Sequence, residues 1–183
     1  MSARPIAAVL AGGRSRRMGS PKALVELGDR PLLAWALAAA LEAGLEAVVV
    51  AKPGSPLPPL DVPVWPEPEH PSHPLAGVVA ALERAAPRAV VVLACDMPFV
   101  PAELIARLAA LDAVAAAPPR EAFPARYESA ALPILRAGLE REAPLREVLA
   151  ELEPVAIAPG DRPHALLGIN DPGALARAAA LLR

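Results

Sequence analysis

The first apolar run of the chain ends in two glycines, a cluster of arginines and a lysine, in LAGGRSRRMGSPKAL (residues 10–24). Glycine lets the backbone approach a ligand closely and turn its N–H groups toward it, and strand ends that open into such turns are where α/β proteins hold phosphates. The stretch matches neither common phosphate signature. After Gly13 the next glycine is Gly19, so G-x-G-x-x-G is absent, and MGSPK cannot complete G-x-x-x-x-G-K-[ST]. A dinucleotide enzyme and a P-loop ATPase both lose ground. The arrangement predicts that Gly12 and Gly13 let a base and its triphosphate lie on bare backbone while Arg17 and Lys22 neutralise phosphate oxygens.

A second stretch supplies a carboxylate. Asp96 directly follows the apolar run AVVVLAC and precedes Met97 and Pro98. Its side chain should therefore emerge at the C-terminal edge of a sheet, the usual ligand crevice of open α/β folds. A hard oxygen ligand there suits Mg²⁺, which takes one or two carboxylates and completes its shell with water and phosphate. Cys95 has no base placed beside it and is expected to pack as a small apolar residue. His70, His73 and His164 all neighbour prolines and lack metal-ligand spacing.

The elements that must position these groups follow from periodicity. PIAAVLA (5–11), EAVVVAK (46–52) and RAVVVLAC (88–95) read as buried parallel strands. RPLLAWALAAALEAG (30–44) reads as a helix with Pro31 in its first turn and Gly44 at its C-cap. Helices are also predicted at 75–85, 101–111, in ALPILRAGLE, in PLREVLAEL, and from about Pro172 to Leu182. The proline-rich stretch 53–74 is expected to be an irregular, binding-side loop around one short strand at 62–65. DAVAAAP (112–118), FPARYES (123–129), PVAIAP (154–159) and ALLGI (165–169) are shorter extended candidates. Alternating strands and helices imply βαβ crossovers, hence a three-layer α/β/α domain with a mostly parallel sheet over residues 1–183. Asn170, the only asparagine, lies between ALLGI and the last helix, where either it or Asp171 could serve as the N-cap.

Composition sets the outer bounds. The 183 residues are 55% hydrophobic and 21% charged, enough for one well-buried core. A net charge of −2 carries no polyanion-binding signature, which disfavours nucleic acid and anionic membrane as partners. One cysteine excludes an internal disulfide and suits a reducing cytoplasm. No uninterrupted apolar stretch reaches membrane-spanning length, Glu42 and Glu46 cutting the longest, and the N-terminal apolar run is too short for a secretory leader.

The opening stretch resembles the signature of the MobA-like nucleotidyltransferases, most closely the molybdenum cofactor guanylyltransferases. These read L-A-G-G-x-S-x-R-M-G-x-x-K, and here Leu10, Ala11, Gly12, Gly13, Ser15, Arg17, Met18, Gly19 and Lys22 fill every position. LACDMPFVP (93–101) is similar to the family's C-D-x-P-[FY]-[IV]-P. HPLAGVVAAL (73–82) resembles G-P-L-A-G with His73 where Gly is usual, and GINDPGAL (168–175) resembles N-x-N-T-P-[ED]-[DE]-L with departures.

The resemblance implies a Rossmann-like nucleotidyltransferase fold and transfer of GMP from GTP to molybdopterin, with release of pyrophosphate. Arg17, Lys22 and Asp96 would be catalytic, with Asp96 holding Mg²⁺. Leu10, Ala11, Gly12, Gly13, Lys22, Glu67, Asp96 and Asn170 would contact the substrates. The family's guanine-reading Asp has no counterpart here; Glu67 or Glu69 would take that place, or both would be solvated. The surface of 123–129 with Asn170 would face the pterin, and Asn170 lies at the metal or acceptor side of the cleft unless it caps the last helix. Other molybdenum cofactor biosynthesis or acceptor proteins are the protein partners the resemblance allows. The rival readings are a cytidylyltransferase for the same pterin, a transferase for another small-molecule phosphate, and a nucleotide-binding regulator without turnover.

Overall fold

The computed structural model describes residues 4–12 and 19–183. Gly13 and Arg17 lie outside the described residues. The central sheet is built on the valine- and alanine-rich runs. β1 (Ile6–Leu10) pairs in parallel with β4 (Glu46–Ala51) on one side and β6 (Val90–Ala94) on the other, and β4 pairs in parallel with β5 (Val64–Pro66). Beyond β6 come β8 (Ala125–Tyr127), β7 (Ala115–Ala117) and β9 (Val155–Ala156), with β8 antiparallel to both of its neighbours. The order is β5-β4-β1-β6-β8-β7-β9. A mostly parallel sheet needs cover on both faces, and the continuous apolar character of its strands reflects that.

The helices divide between the two faces. α1 (Leu32–Glu42) and α3 (Ala102–Ala110) set Leu33, Leu37, Leu104 and Leu108 against Ala7, Val9, Val49 and Val91. On the other face α2 (Pro74–Ala85), α4 (Leu132–Glu140) and α5 (Leu145–Glu151) set Leu75, Val78, Leu135 and Val148 against Ile6, Ala8, Val48 and Val92. The alternation of strand residues between the two clusters follows from the two-residue repeat of a strand. Each fully buried valine of β6 contributes about 1.5–3 kcal/mol through removal from water. The expected three-layer α/β/α architecture is therefore present.

A third, smaller cluster lies at one edge. A hairpin of β2 (Glu26–Leu27) and β3 (Arg30–Pro31) turns at Gly28, whose φ of +68° suits a residue without Cβ. Leu27 and Val25 from this segment pack with Leu32, with Ile169, and with Ala174 and Ala178 of α6 (Pro172–Ala180). Three sequence expectations change here. The helix predicted from residue 30 begins at Leu32, because Arg30 and Pro31 are taken by the hairpin. The short strand in the proline-rich stretch runs 64–66 rather than 62–65, with Val64 opposite Val49. ALLGI forms turns and coil against the edge cluster instead of a strand.

The close approach of α4 to α5 depends on Gly138. A Cβ there would meet Val148 Cγ2 at 2.5 Å and Cγ1 at 2.7 Å, and valine is stiff at χ1. Gly138→Ala should gain helix propensity yet lose more to overpacking, a net destabilisation of about 1–3 kcal/mol, read from urea denaturation midpoints.

Candidate active site

The parallel strands deliver their next residues to one edge of the sheet. Leu10 sits opposite Val50 and Ala94, and Ala51 opposite Pro66, so the four strands end level. Gly12, Lys52, Glu67 and Asp96 follow these ends, and all four line one cleft of about 750 Å³. The chain runs from β1 outward to β4 and β5, then returns through α2 to β6 on β1's other side. The mouth between β1 and β6 is thus the point at which strand order reverses, where open α/β sheets hold their ligands. The backbone closes the two ends together, Cys95 N–H donating to the Leu10 carbonyl at 3.2 Å.

Lys22 and Asp96, 74 residues apart in sequence, meet across this mouth. The Lys22 ammonium donates to Asp96 Oδ2 at 2.5 Å and also to Asn170 Oδ1. Three local causes bring them together. Lys22 opens a short 3₁₀ turn (Lys22–Leu24) that leads straight into Val25 and Leu27 of the edge cluster. Ile169 belongs to the same cluster, and its N–H donates to the Asp96 carbonyl at 2.8 Å, which holds the next residue beside the aspartate. Asp171, not Asn170, caps α6, with Oδ1 accepting from Ala174 N–H at 2.8 Å. Asn170 is left to face Lys22.

On the opposite wall, Glu67 is buried between two glycines. A Cβ on Gly12 would fall 2.2 Å from Glu67 Oε1, and one on Gly77 would fall 2.6 Å from Oε2. The bare backbone at Gly12 makes room for this carboxylate, a role beyond the nucleotide approach expected from the sequence. Glu67 N–H donates to the Ala51 carbonyl at 3.0 Å, continuing the ladder past β5. Lys52 donates to the Glu69 carbonyl and thereby ties the following loop down. Burial raises the Glu67 carboxyl above its ordinary range, an effect that the Lys52 charge partly offsets.

Folded Glu67 therefore keeps its proton to higher pH than it does in the unfolded chain. Its stabilising contribution is complete below the unfolded value and is lost as pH rises through the folded one. Glu67→Gln should accordingly gain stability relative to the unsubstituted chain as pH rises across that window, measured by urea unfolding at several pH values.

The remaining expectations divide. Leu10 lines the cleft, whereas Ala11 is buried and its N–H is used by the Val50 carbonyl. Of the two glutamates, Glu67 lines the cleft and the Glu69 side chain is exposed outside its lining. Of the wall expected at 123–129 only Phe123 lines the cleft, joined by Glu121 and Ala122 just before it. Beyond them β8 enters the sheet, and Arg126 turns to the Ala113 carbonyl and Glu128. Cys95 is buried and its thiol is pushed up to about 12 by burial and by neighbouring Asp96, as suits a packing residue. His73 caps α2 through Nδ1, which accepts from Leu75 N–H. Arg146 of α5 reaches the cleft and was not expected from the sequence, where nothing local sets it apart from other helical arginines.

The donor set fits a hard divalent cation. Asp96 Oδ2 and Asn170 Oδ1 are oxygen ligands already gathered around one positive charge, the Lys22 ammonium. Among the described residues no three His, Cys, Asp or Glu side chains come together, so phosphate oxygens and water would have to complete such a shell. Also among the described residues, no helix is long and apolar enough to cross a membrane.

Comparison with known proteins gives a consistent result. The MobA-like NTP transferase domain matches residues 7–163. A molybdenum cofactor guanylyltransferase from Shewanella amazonensis is 30% identical over 184 residues, covering 94% of each chain. Another from Rhodobacter capsulatus is 44% identical over 108 residues, 56% of each chain, so this chain spans about half the length of the first curated relatives it matches. The crystal structure of molybdopterin-guanine dinucleotide biosynthesis protein A from Archaeoglobus fulgidus superposes with a TM-score of 0.78 at 25% identity, covering 96% of this chain and 97% of that one. The signature after β1, the carboxylate after β6 and the sheet that joins them are thus found together with a family match over most of the chain, and the chain belongs to the MobA-like NTP transferase family.

Proposed function

We propose that this chain acts as a single cytoplasmic nucleotidyltransferase domain, residues 1–183, that transfers GMP from GTP to molybdopterin and releases pyrophosphate. The observation that carries the reading is the convergence of Gly12, Glu67, Lys22, Asp96 and Asn170 on one cleft at the reversal point of the sheet. In the reaction a phosphate oxygen of the pterin attacks the α-phosphorus of GTP. A new P–O bond forms, the bond from the α-phosphorus to the β-bridging oxygen breaks, and pyrophosphate leaves. The product is the guanine dinucleotide form of the pterin cofactor.

The residues divide this work by position. Buried Glu67 accepts from guanine N1–H and its amino group, and Gly12 and Gly13 support the nucleotide backbone-side. Lys22 and Arg17 neutralise phosphate oxygens, a task for which positioning and charge suffice. Asp96 and Asn170 hold Mg²⁺, which when bound offsets charge on the phosphates. Arg146, Glu121 and Phe123 form the acceptor side, where the guanidinium suits the pterin phosphate.

Pyrophosphate release measured with GTP, CTP and ATP, each with molybdopterin, tests the reading. Release with GTP alone is expected. Release with CTP in preference to GTP would instead establish the cytidylyl transfer.

A further inference from the structure

The Lys22 ammonium occupies the oxygens to which the proposed function assigns a metal ion. It donates to Asp96 Oδ2 and to Asn170 Oδ1 at once, from a segment anchored in the same small core that anchors Asn170. A monovalent ammonium and a divalent cation placed on the same two oxygens exclude each other by both charge and volume. The protein has little with which to tip that contest toward the metal unaided, since among the described residues no cluster of three potential ligands exists. Nucleotide changes the balance in two ways. Its phosphates give the ammonium another partner, and they supply the oxygens that a divalent cation needs.

We propose that Lys22 keeps the metal's seat in the free enzyme, so that a divalent cation enters only together with nucleotide. This rests on the reading of Asp96 as the metal carboxylate. Lys22 then does two things, neutralising phosphate when nucleotide is bound and screening Asp96 when it is not. Metal and nucleotide binding are coupled through its movement, and linkage makes that coupling reciprocal: nucleotide strengthens metal binding as much as metal strengthens nucleotide binding. The free protein avoids holding a bare carboxylate against the cleft floor and does not retain a cation without its substrate.

The test is titration with Mn²⁺, followed by electron paramagnetic resonance, on the full chain with and without GTP. In the absence of GTP, Lys22→Met should bind Mn²⁺ roughly tenfold more tightly than the unsubstituted protein. Lys22→Arg, which keeps a cation on Asp96, should not. Adding Asp96→Asn to Lys22→Met should abolish the gain. Unchanged Mn²⁺ affinity in Lys22→Met, with Asp96-dependent binding still seen when GTP is present, would overturn the seat-keeping role while leaving the metal assignment intact. If Asp96→Asn leaves Mn²⁺ binding unaltered in the presence of GTP, the metal assignment itself falls, and this inference with it. Circular dichroism of each variant separates these outcomes from loss of fold.

Discussion

Asp96→Asn is expected to lower the rate of pyrophosphate release from GTP and molybdopterin by roughly 10²–10³-fold, the usual cost of losing one preorganised charge-stabilising group. The substitution keeps the shape of the side chain and its reach to Lys22. It removes the negative charge that would hold a divalent cation, and that charge matters most as the phosphates rearrange around the α-phosphorus. Because the cation would be held together with the nucleotide, the effect should fall on kcat and on the KM for GTP alike. Stability should change less than activity, because the amide that replaces the carboxylate keeps an oxygen that can accept from the Lys22 ammonium. Steady-state kinetics beside a thermal melt would separate the two. A large fall in Tm with unchanged kcat in the surviving protein would make Asp96 a structural residue.

Gly12→Ala should produce an effect of comparable size by a different route. The new methyl would lie 2.2 Å from Glu67 Oε1, and the flexible carboxylate end can swing away. The fold survives while the buried acceptor leaves its place between Gly12 and Gly77. Hydrogen bonds to a charged group contribute about 1.5–3 kcal/mol each, so loss of the pair read from guanine should raise KM for GTP on the order of 10²-fold. CTP and ATP offer no such pair of donors and should be far less affected. Competition assays among the three nucleotides check this: a uniform loss for all three would place Gly12 under the phosphates instead of behind the base reader.

Much of the fold was legible because its central strands β1, β4 and β6 are buried on both faces. Runs such as AVVVLAC announce themselves, and the step from Ala94 to Asp96 carries a carboxylate to the sheet edge by strand geometry alone. Gly12 and Asp96 each follow a strand end directly, so their places at the sheet edge could be read, whereas Gly13 and Arg17 lie outside the described residues. What the sequence concealed is contact between distant segments. Nothing near Lys22 predicts that Leu27 will pack with Ile169, yet that packing brings Asn170 to the ammonium. The choice between Asn170 and Asp171 as helix cap was open because both residues cap well. It is decided by Ile169, whose backbone bond to Asp96 sets the register of the segment. Gly12 and Gly77 are both spaced for Glu67, a relation among three separate elements that no local motif encodes. Arg146 went unseen for the same reason, being one of many helical arginines until α5 is placed at the cleft.

Calorimetric titration with GTP, CTP and ATP in the presence of Mg²⁺ addresses the central claim most directly, that one cleft between β1 and β6 holds a guanine nucleotide with its cation. GTP should bind tightest, and its heat should vanish when Mg²⁺ is withdrawn or Asp96 is replaced by asparagine. Tightest binding of CTP, or GTP binding indifferent to both Mg²⁺ and Asp96, would contradict it.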